Sequence, residues 1–422
     1  MENLKPKTLS SFIFIPLLSL IFFRPFFSGL AYPILETYCE ITLILIAIIT
    51  LLAFKKPRRL PSFFAKASED KTTTCEVKYD CIFLLLSAYI ISAAHSININ
   101  NSILGILKFL SFASIFFIVS QIDERQKKLL IKTIVIAGVI ISLYAIYQYF
   151  WGYSHTLNYL KKINSDFLRH SSYARDILLD KRAIATFPSP NILGGYLIMI
   201  FFLTLHLLSE KKYPTPSTLN LLPNMFFILM IFAALLLTKS LGAWLSLIIT
   251  MITLFFLSYK SIKHKKAASI AFLIAIFLVI GFILITRWER LMNLDNPQNS
   301  IIQRLNYWRT AIAVIKDHPI LGVGPGNFQE VFLKYKVGLS TNTRYAHNML
   351  LQTWTETGIL GLIALIYLVI TFLAKVKSKS RYIFLAGLAF LLHNLIDNTY
   401  FIPEVGLFWW VLFGLSKSKA NS

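Results

Sequence analysis

Charge is scarce in this chain, and negative charge most of all. Only 15% of its 422 residues are charged, with 20 Asp and Glu against 42 Lys and Arg, where a soluble domain carries about 25%. That deficit excludes a soluble globular protein, so dividing the length into soluble domains has no meaning here. Cysteine is nearly absent: Cys39, Cys75 and Cys81 form neither a CxxC pair nor a Cys/His cluster, which argues against a disulfide framework and structural zinc. No carboxylate cluster of metal-ligand type stands out, so no metal and no other cofactor is expected. There is no convincing internal repeat.

Apolar residues fill the space. They make up 56% of the chain and come in blocks, many long enough to cross a hydrocarbon core that takes about 20 helical residues. The expected fold is an all-α polytopic membrane protein, one integral membrane domain over residues 1–422. Twelve transmembrane helices are expected, near residues 10–30, 34–54, 81–97, 102–120, 131–150, 188–208, 221–238, 241–258, 267–286, 356–374, 382–396 and 403–416. The third and the last two are short. The N-terminus has the outline of a signal peptide: Lys5 and Lys7, then Phe12 to Phe23, then Gly29-Leu30-Ala31. Its cleavage site fits poorly and the next apolar run follows at once, so an uncleaved first span is expected.

Lys and Arg set the orientation. With the N-terminus inside, the cytoplasmic segments collect Lys5 and Lys7, the 55–79 connector with its KKPRR run, Arg125 to Lys132, and Lys211 and Lys212. Lys260 to Lys266, Lys375 to Arg381, and the tail residues Lys417 and Lys419 bring the total to 25 of the 42 basic residues. The opposite short loops, 95–101 and 397–402, have none. The positive-inside rule then puts both termini in the cytoplasm. Much of the +22 net charge is accordingly a topology and lipid-headgroup signal, not a nucleic-acid patch. Two segments on the outer side break the pattern. The first external loop, 151–187, carries six basic residues, and the large external loop between spans nine and ten, 287–355, carries eight. Long loops orient a chain poorly, so their charge points to an anionic substrate.

The second half of the large loop is the richest stretch. From Arg304, the apolar and aromatic positions Tyr307, Trp308, Ala311, Ile312 and Ile315 recur at helical spacing, the mark of a short amphipathic helix. Arg304 lies one turn before Trp308 on the same face. It is either a snorkelling surface arginine or a guanidinium held by an aromatic platform and aimed at a phosphate or diphosphate. His318-Pro319-Ile-Leu-Gly322-Val-Gly324-Pro325-Gly326 follows. With no preceding strand and no GK[ST], it reads better as a glycine-built turn than as a nucleotide loop. Arg344-Tyr345-Ala346-His347-Asn348 then opens a helix into span ten. His347 is a general base, a phosphate ligand, or a packed structural residue. Glu356, nine positions on, faces away from it on a continuous helix, so the two are not read as a dyad. Upstream, Arg182 to Gly195, with Pro188, Pro190 and Asn191, suggests a broken helix entrance, and Lys239 to Trp244 marks a short outer hairpin. Glu36 and Glu40 sit one turn apart in span two, as intramembrane carboxylates.

In this order the pieces resemble the O-antigen ligase and O-antigen polymerase superfamily of bacterial membrane proteins. They are R-A-x-x-T-F-x-x-P-N-x-L-G at 182–194, S-x-G-A at 240–243, and, from Arg304 to Leu362, R-x-x-x-W, P-x-x-G-x-G-x-x-x-F, H-N-x-x-L and E-x-G-x-x-G-L. The resemblance implies a metal-independent, inverting glycosyltransferase of the bacterial cytoplasmic membrane with its active site on the outer face. The donor would be a glycan on a polyprenyl diphosphate. The acceptor would be a sugar hydroxyl on a glycan or a lipid A-core, in lipopolysaccharide or other surface polysaccharide synthesis, with membrane lipids as further partners. Carried across, the resemblance gives Arg304 the diphosphate and His347 the acceptor hydroxyl or the phosphate. Arg182, Lys239 and Arg344 would add positive charge, with Trp308, Asn348, Glu356, Gly322 and Gly324 in support. One departure matters. Where S-R-G is usual, this chain has Ser240-Leu241-Gly242, and Lys239 nearby supplies a point charge without a paired donor fork. Two readings stay open beside the enzyme: a solute or anion transporter, against which stands the lack of a two-half repeat, and a non-catalytic partner in polysaccharide export, which Leu241 favours.

Overall fold

A backbone amide in hydrocarbon has no water to bond, so a chain this apolar must satisfy its hydrogen bonds within each segment. Helices are the result. The computed structural model describes residues 11–29, 31–53, 79–163, 174, 177–210, 218–262, 264–377 and 380–416, and every regular element among them is helical. Lys5, Lys7, Cys75, residues 55–78, Lys211, Lys212, Lys263, Lys379, Lys417 and Lys419 lie outside the described residues.

In chain order the helices are α1 (Ser11–Phe23), α2 (Pro33–Ala53), α3 (Asp80–Ala93), α4 (Ile99–Val119), α5 (Glu124–Tyr147), α6 (Tyr153–Ile163), α7 (Pro190–Glu210) and α8 (Thr218–Leu237). There follow α9 (Leu241–Ser258), α10 (Lys265–Met292), α11 (Ser300–Asp317), α12 (Phe328–Tyr335), α13 (Met349–Lys377), α14 (Arg381–His393) and α15 (Pro403–Leu415). An apolar helix stands on each of the twelve segments read from the sequence. Among the described residues, seven are long and apolar enough to cross a membrane and five are shorter.

The axis of the bundle is α15, all thirteen of whose residues are buried. Its Trp409, Trp410 and Phe413 interlock with Phe109, Phe112 and Phe116 of α4 and Phe372 of α13. Around it α7 packs on α8, α14 and α5, while α13 packs on α3. The opposite extreme is α10, whose membrane-length stretch is enclosed nowhere. Among its described side chains only Arg287 is buried.

Three boundaries differ from the sequence reading, each for a local reason. The fifth helix does not stop at residue 150: a π-turn at Gln148–Gly152 carries it into α6. The Gln148 side chain accepts from the Ile184 and Ala185 amides at 3.1 and 2.9 Å, which ties the start of the first loop to its end. The supposed broken entrance at 188–195 is an ordinary capped start. Pro190 takes the first position, where its missing N–H costs nothing, and the Ser189 hydroxyl accepts from Ile192 N at 3.3 Å. The third difference is in α13, which begins at Met349 and breaks at Gly358 (φ 67°, ψ −170°). Only glycine is at ease in that conformation. The carbonyls of Thr355 and Glu356 are taken by the amides of Val323 and Gly324 at 3.0 and 2.9 Å, and Ile359 N turns to Pro319 O at 3.0 Å. The 318–326 turn thus stitches the break shut.

Candidate active site

The motifs of the large loop and of the 190 and 240 regions meet on one turn, Asn394 to Thr399, which links α14 to α15. Three successive carbonyls of that turn are each claimed from elsewhere. Met349 N donates to Asn394 O at 2.8 Å, Asn348 Nδ2 to Leu395 O at 2.8 Å, and Arg304 Nε to Ile396 O at 2.8 Å. The fourth residue, Asp397, is 2% exposed. Its carboxylate accepts from Arg304 Nη2 at 3.0 Å and lies 3.5 Å from His347 Nδ1. Burial by itself would raise that carboxyl, but the His347 contact and the Arg304 charge outweigh it and hold it well below the ordinary range.

His347 is braced from several sides. Its backbone has φ 52°, a left-handed conformation that is uncommon outside glycine. The imidazole stacks on Tyr307, with centroids 5.4 Å apart and planes at 21°. Asn348 caps α13 by accepting from Leu350 N and Leu351 N at 2.9 and 3.0 Å. Glu356 does not touch His347. It accepts from Gln352 Nε2 at 2.7 Å, and Gln352 Oε1 accepts from Ala346 N at 2.6 Å, so the carboxylate steadies the backbone one residue before the histidine. Nδ1 is buried 3.5 Å from an Asp397 carboxylate oxygen without a hydrogen bond of its own, so the carboxylate faces that ring nitrogen as a charge and Nε2 lies on the other side of the ring.

Positive charge borders this pair. Arg182 donates from Nε to Thr238 O at 3.2 Å and from Nη2 to Asn191 Oδ1 at 3.0 Å. Burial, and then the Arg304 charge, bring its guanidinium down to about 10. Lys239, at φ 48°, donates Nζ to Asp180 O at 2.6 Å, and burial followed by the Arg287 charge lowers it too. Close approach of the helix starts makes this possible. A Cβ on Gly194 would lie 2.8 Å from Ala243 Cβ, and one on Gly195 3.0 Å from the His393 ring.

Residues 225–366 match the family model described as O-antigen ligase. This segment is O-antigen ligase-like. A protein of Haemophilus influenzae described as uncharacterized is 30% identical over 189 residues, which are 40% of this chain and 45% of that protein; the chain thus spans less than half the length of that relative. The O-antigen ligase-like segment contains Lys239, Arg304 and His347, whereas Arg182 and Asp397 lie outside it on either side.

Several sequence-level candidates sit elsewhere or act otherwise. Arg344 is apart from Arg304 and Arg182: its guanidinium lies 5.8 Å over the Tyr345 ring, in a pocket it shares with Lys108, Glu356, Tyr89 and Tyr400. Gly322 and Gly324, at φ 70° and 96°, give their amides to His318 O and Glu356 O, so the first closes the turn and the second stitches it to α13. Trp308 gives its indole N–H to His347 O at 3.4 Å, and the ring that stacks on the histidine belongs to Tyr307. The buried face of α11 is Gln303, Asn306, Tyr307, Thr310, Ala311, Val314 and Ile315, and Ile312, read as part of that face, is 45% exposed.

Asp397 was not singled out from the sequence, nor was Arg287. The signal for Asp397 was faint but present: an acid in an otherwise uncharged stretch between two apolar segments. Among the described residues no three His, Cys, Asp or Glu side chains gather to hold a metal ion.

Proposed function

We propose that this protein is a glycosyltransferase of the O-antigen ligase or polymerase type. It moves a glycan from a polyprenyl diphosphate to a sugar hydroxyl at the outer face of the bacterial cytoplasmic membrane, with both termini inside. The observation that carries this reading is the shared carboxylate: Arg304 and His347, a cation and a base, are fixed on one buried Asp397. The acceptor oxygen attacks the anomeric carbon from the face opposite the diphosphate and inverts it. The bond from that carbon to the diphosphate oxygen breaks, and polyprenyl diphosphate leaves with the bonding pair. His347 Nε2 takes the acceptor's proton. Arg304, with Arg182 and Lys239 behind it, stabilises the charge growing on the leaving group in a low-dielectric site. Fixed cations suffice for that role, so the reaction proceeds without a metal.

The test is reconstitution in liposomes with a polyprenyl-diphosphate oligosaccharide and a glycan acceptor, following release of the lipid diphosphate. Wild type should turn over in EDTA, and Arg304→Ala and His347→Ala should each fall by about 100-fold or more, as expected for loss of a charge clamp or a general base. Turnover that survives both substitutions, or a donor that binds and never reacts with any acceptor, would overturn the reading.

A further inference from the structure

The side chain that fits least well with its surroundings is Arg287. It stands near the end of α10, a helix most of whose described side chains are exposed: Phe277 is 74% exposed, Ile285 83% and Trp288 55%, while Arg287 is 5% exposed. Phe282 and Ile283 rest partly on the core, but the one buried side chain among those described is an arginine. Its Nε is buried without a hydrogen-bond partner, and among the described residues its guanidinium makes no ion pair. An arginine enclosed at a membrane boundary normally pairs with a carboxylate or with carbonyls. Here its electrostatic neighbours are chiefly other cations, Arg182 and Arg304, with Asp180 the one acid, and Lys239 feels its charge in turn. Packing explains the address. Trp244 of α9 and Phe282 of α10 are in ring contact at 5.2 Å, which lays the end of α10 beside the start of α9, where Leu241 offers no charge.

A packed protein does not gather guanidiniums without a reason, since each raises the cost of the next. Arg182 and Arg304 have carbonyl, amide or carboxylate acceptors to hold them. Arg287 has donors to spare. We propose that Arg287 is an anion-binding residue whose partner is the diphosphate of the lipid-linked donor, and that it supplies the donor fork which Lys239 and Leu241 cannot. This rests on the transferase reading for the identity of the ligand, but the cationic site itself does not depend on turnover.

The experiment measures thermal unfolding of purified wild type, Arg287→Gln and Arg287→Lys in detergent, alone and with farnesyl diphosphate, farnesyl monophosphate or inorganic diphosphate. An unpartnered buried charge weakens the free protein, so Arg287→Gln should unfold about 2–6 °C higher than wild type without ligand. Farnesyl diphosphate should raise the midpoint of wild type, less for Arg287→Lys and hardly at all for Arg287→Gln. Its Kd should weaken by about 10- to 100-fold on losing one charged hydrogen-bonding group. A shift with inorganic diphosphate as large as with farnesyl diphosphate would assign the site to the free anion and overturn the lipid assignment. An Arg287→Gln variant less stable than wild type, with its diphosphate shift intact, would make Arg287 a structural group and sink the proposal. The two readings fail separately. Transfer by wild type with an unchanged donor KM in Arg287→Gln refutes this inference alone, whereas an Arg287-dependent shift in a protein that never transfers refutes the reaction and leaves the anion site standing.

Discussion

Replacing Asp397 by asparagine keeps the size and removes the charge that two motifs share. In the native protein the carboxylate is 2% exposed and holds Arg304 at 3.0 Å and His347 at 3.5 Å. Breaking a fully buried pair by removing one partner costs about 3–5 kcal/mol. The cost here should be smaller, about 2–3 kcal/mol, because Arg304 retains 22% exposure and two carbonyl acceptors, Ile396 O and Ser300 O. Unfolding titrated with SDS in mixed micelles measures this directly. The decisive arm is a double-mutant cycle with Arg304→Gln. Residues that act through one contact should show a coupling of about 1–2 kcal/mol, since uncoupled pairs add to within about 0.5 kcal/mol. In the transfer assay, Asp397→Asn should lower kcat by about 100-fold through misplacement of the cation and the base. Additive stabilities together with full turnover would show that Asp397 neither holds Arg304 nor aims His347, and the proposed geometry of catalysis would go with it.

Four other outcomes follow. The Asp397 carboxyl is held below its unfolded value, so its contribution is present above about pH 4 and is lost as pH falls through the lower folded value; the stability gap between wild type and Asp397→Asn should close in acid below about pH 4. Gly358→Ala should destabilise by about 3 kcal/mol or more, since it combines a glycine-only conformation with a Cβ placed 1.8 Å from Ile320 O. Gly281→Ala, whose Cβ would meet nothing within 4 Å, should be neutral or gain up to about 1 kcal/mol in the same titration. Leu241→Arg placed in the Arg287→Gln background should restore part of the donor affinity, because the start of α9 lies beside the end of α10; no gain in Kd would argue that the two positions do not face one anion.

Apolar blocks wrote most of the fold into the sequence. Each block became a helix because hydrocarbon leaves the backbone no other partner. Boundaries were less legible where side chains from distant positions decide them. The π-turn after α5 depends on Gln148 finding amides 36 and 37 residues away, and the break at Gly358 depends on the 318–326 turn reaching it. In the candidate site, Arg304 and His347 stand out in the sequence by type and spacing, and the structure brings both to one carboxylate. Asp397 and Arg287 do not stand out, since their meaning lies in burial. One is an acid enclosed among cations, and the other the one buried side chain among those described on a mostly exposed helix. Arg344 shows the converse: it is three positions from His347 in the chain, yet it lines a pocket with Lys108 and Tyr345.

The turn that receives Arg304, Asn348 and Met349 is followed directly by α15, the helix buried at every position. Time enters through that order. A ribosome makes Arg304 and His347 some fifty to ninety residues before Asp397, so both exist in the membrane before their common anchor does. During that interval Arg304 has Ser300 O and His347 has the Tyr307 ring, but neither has the carboxylate that joins them. Insertion of the helix that follows the turn is therefore the step that completes the proposed site, and until the axis of the bundle is in place its cation and its histidine stay unjoined.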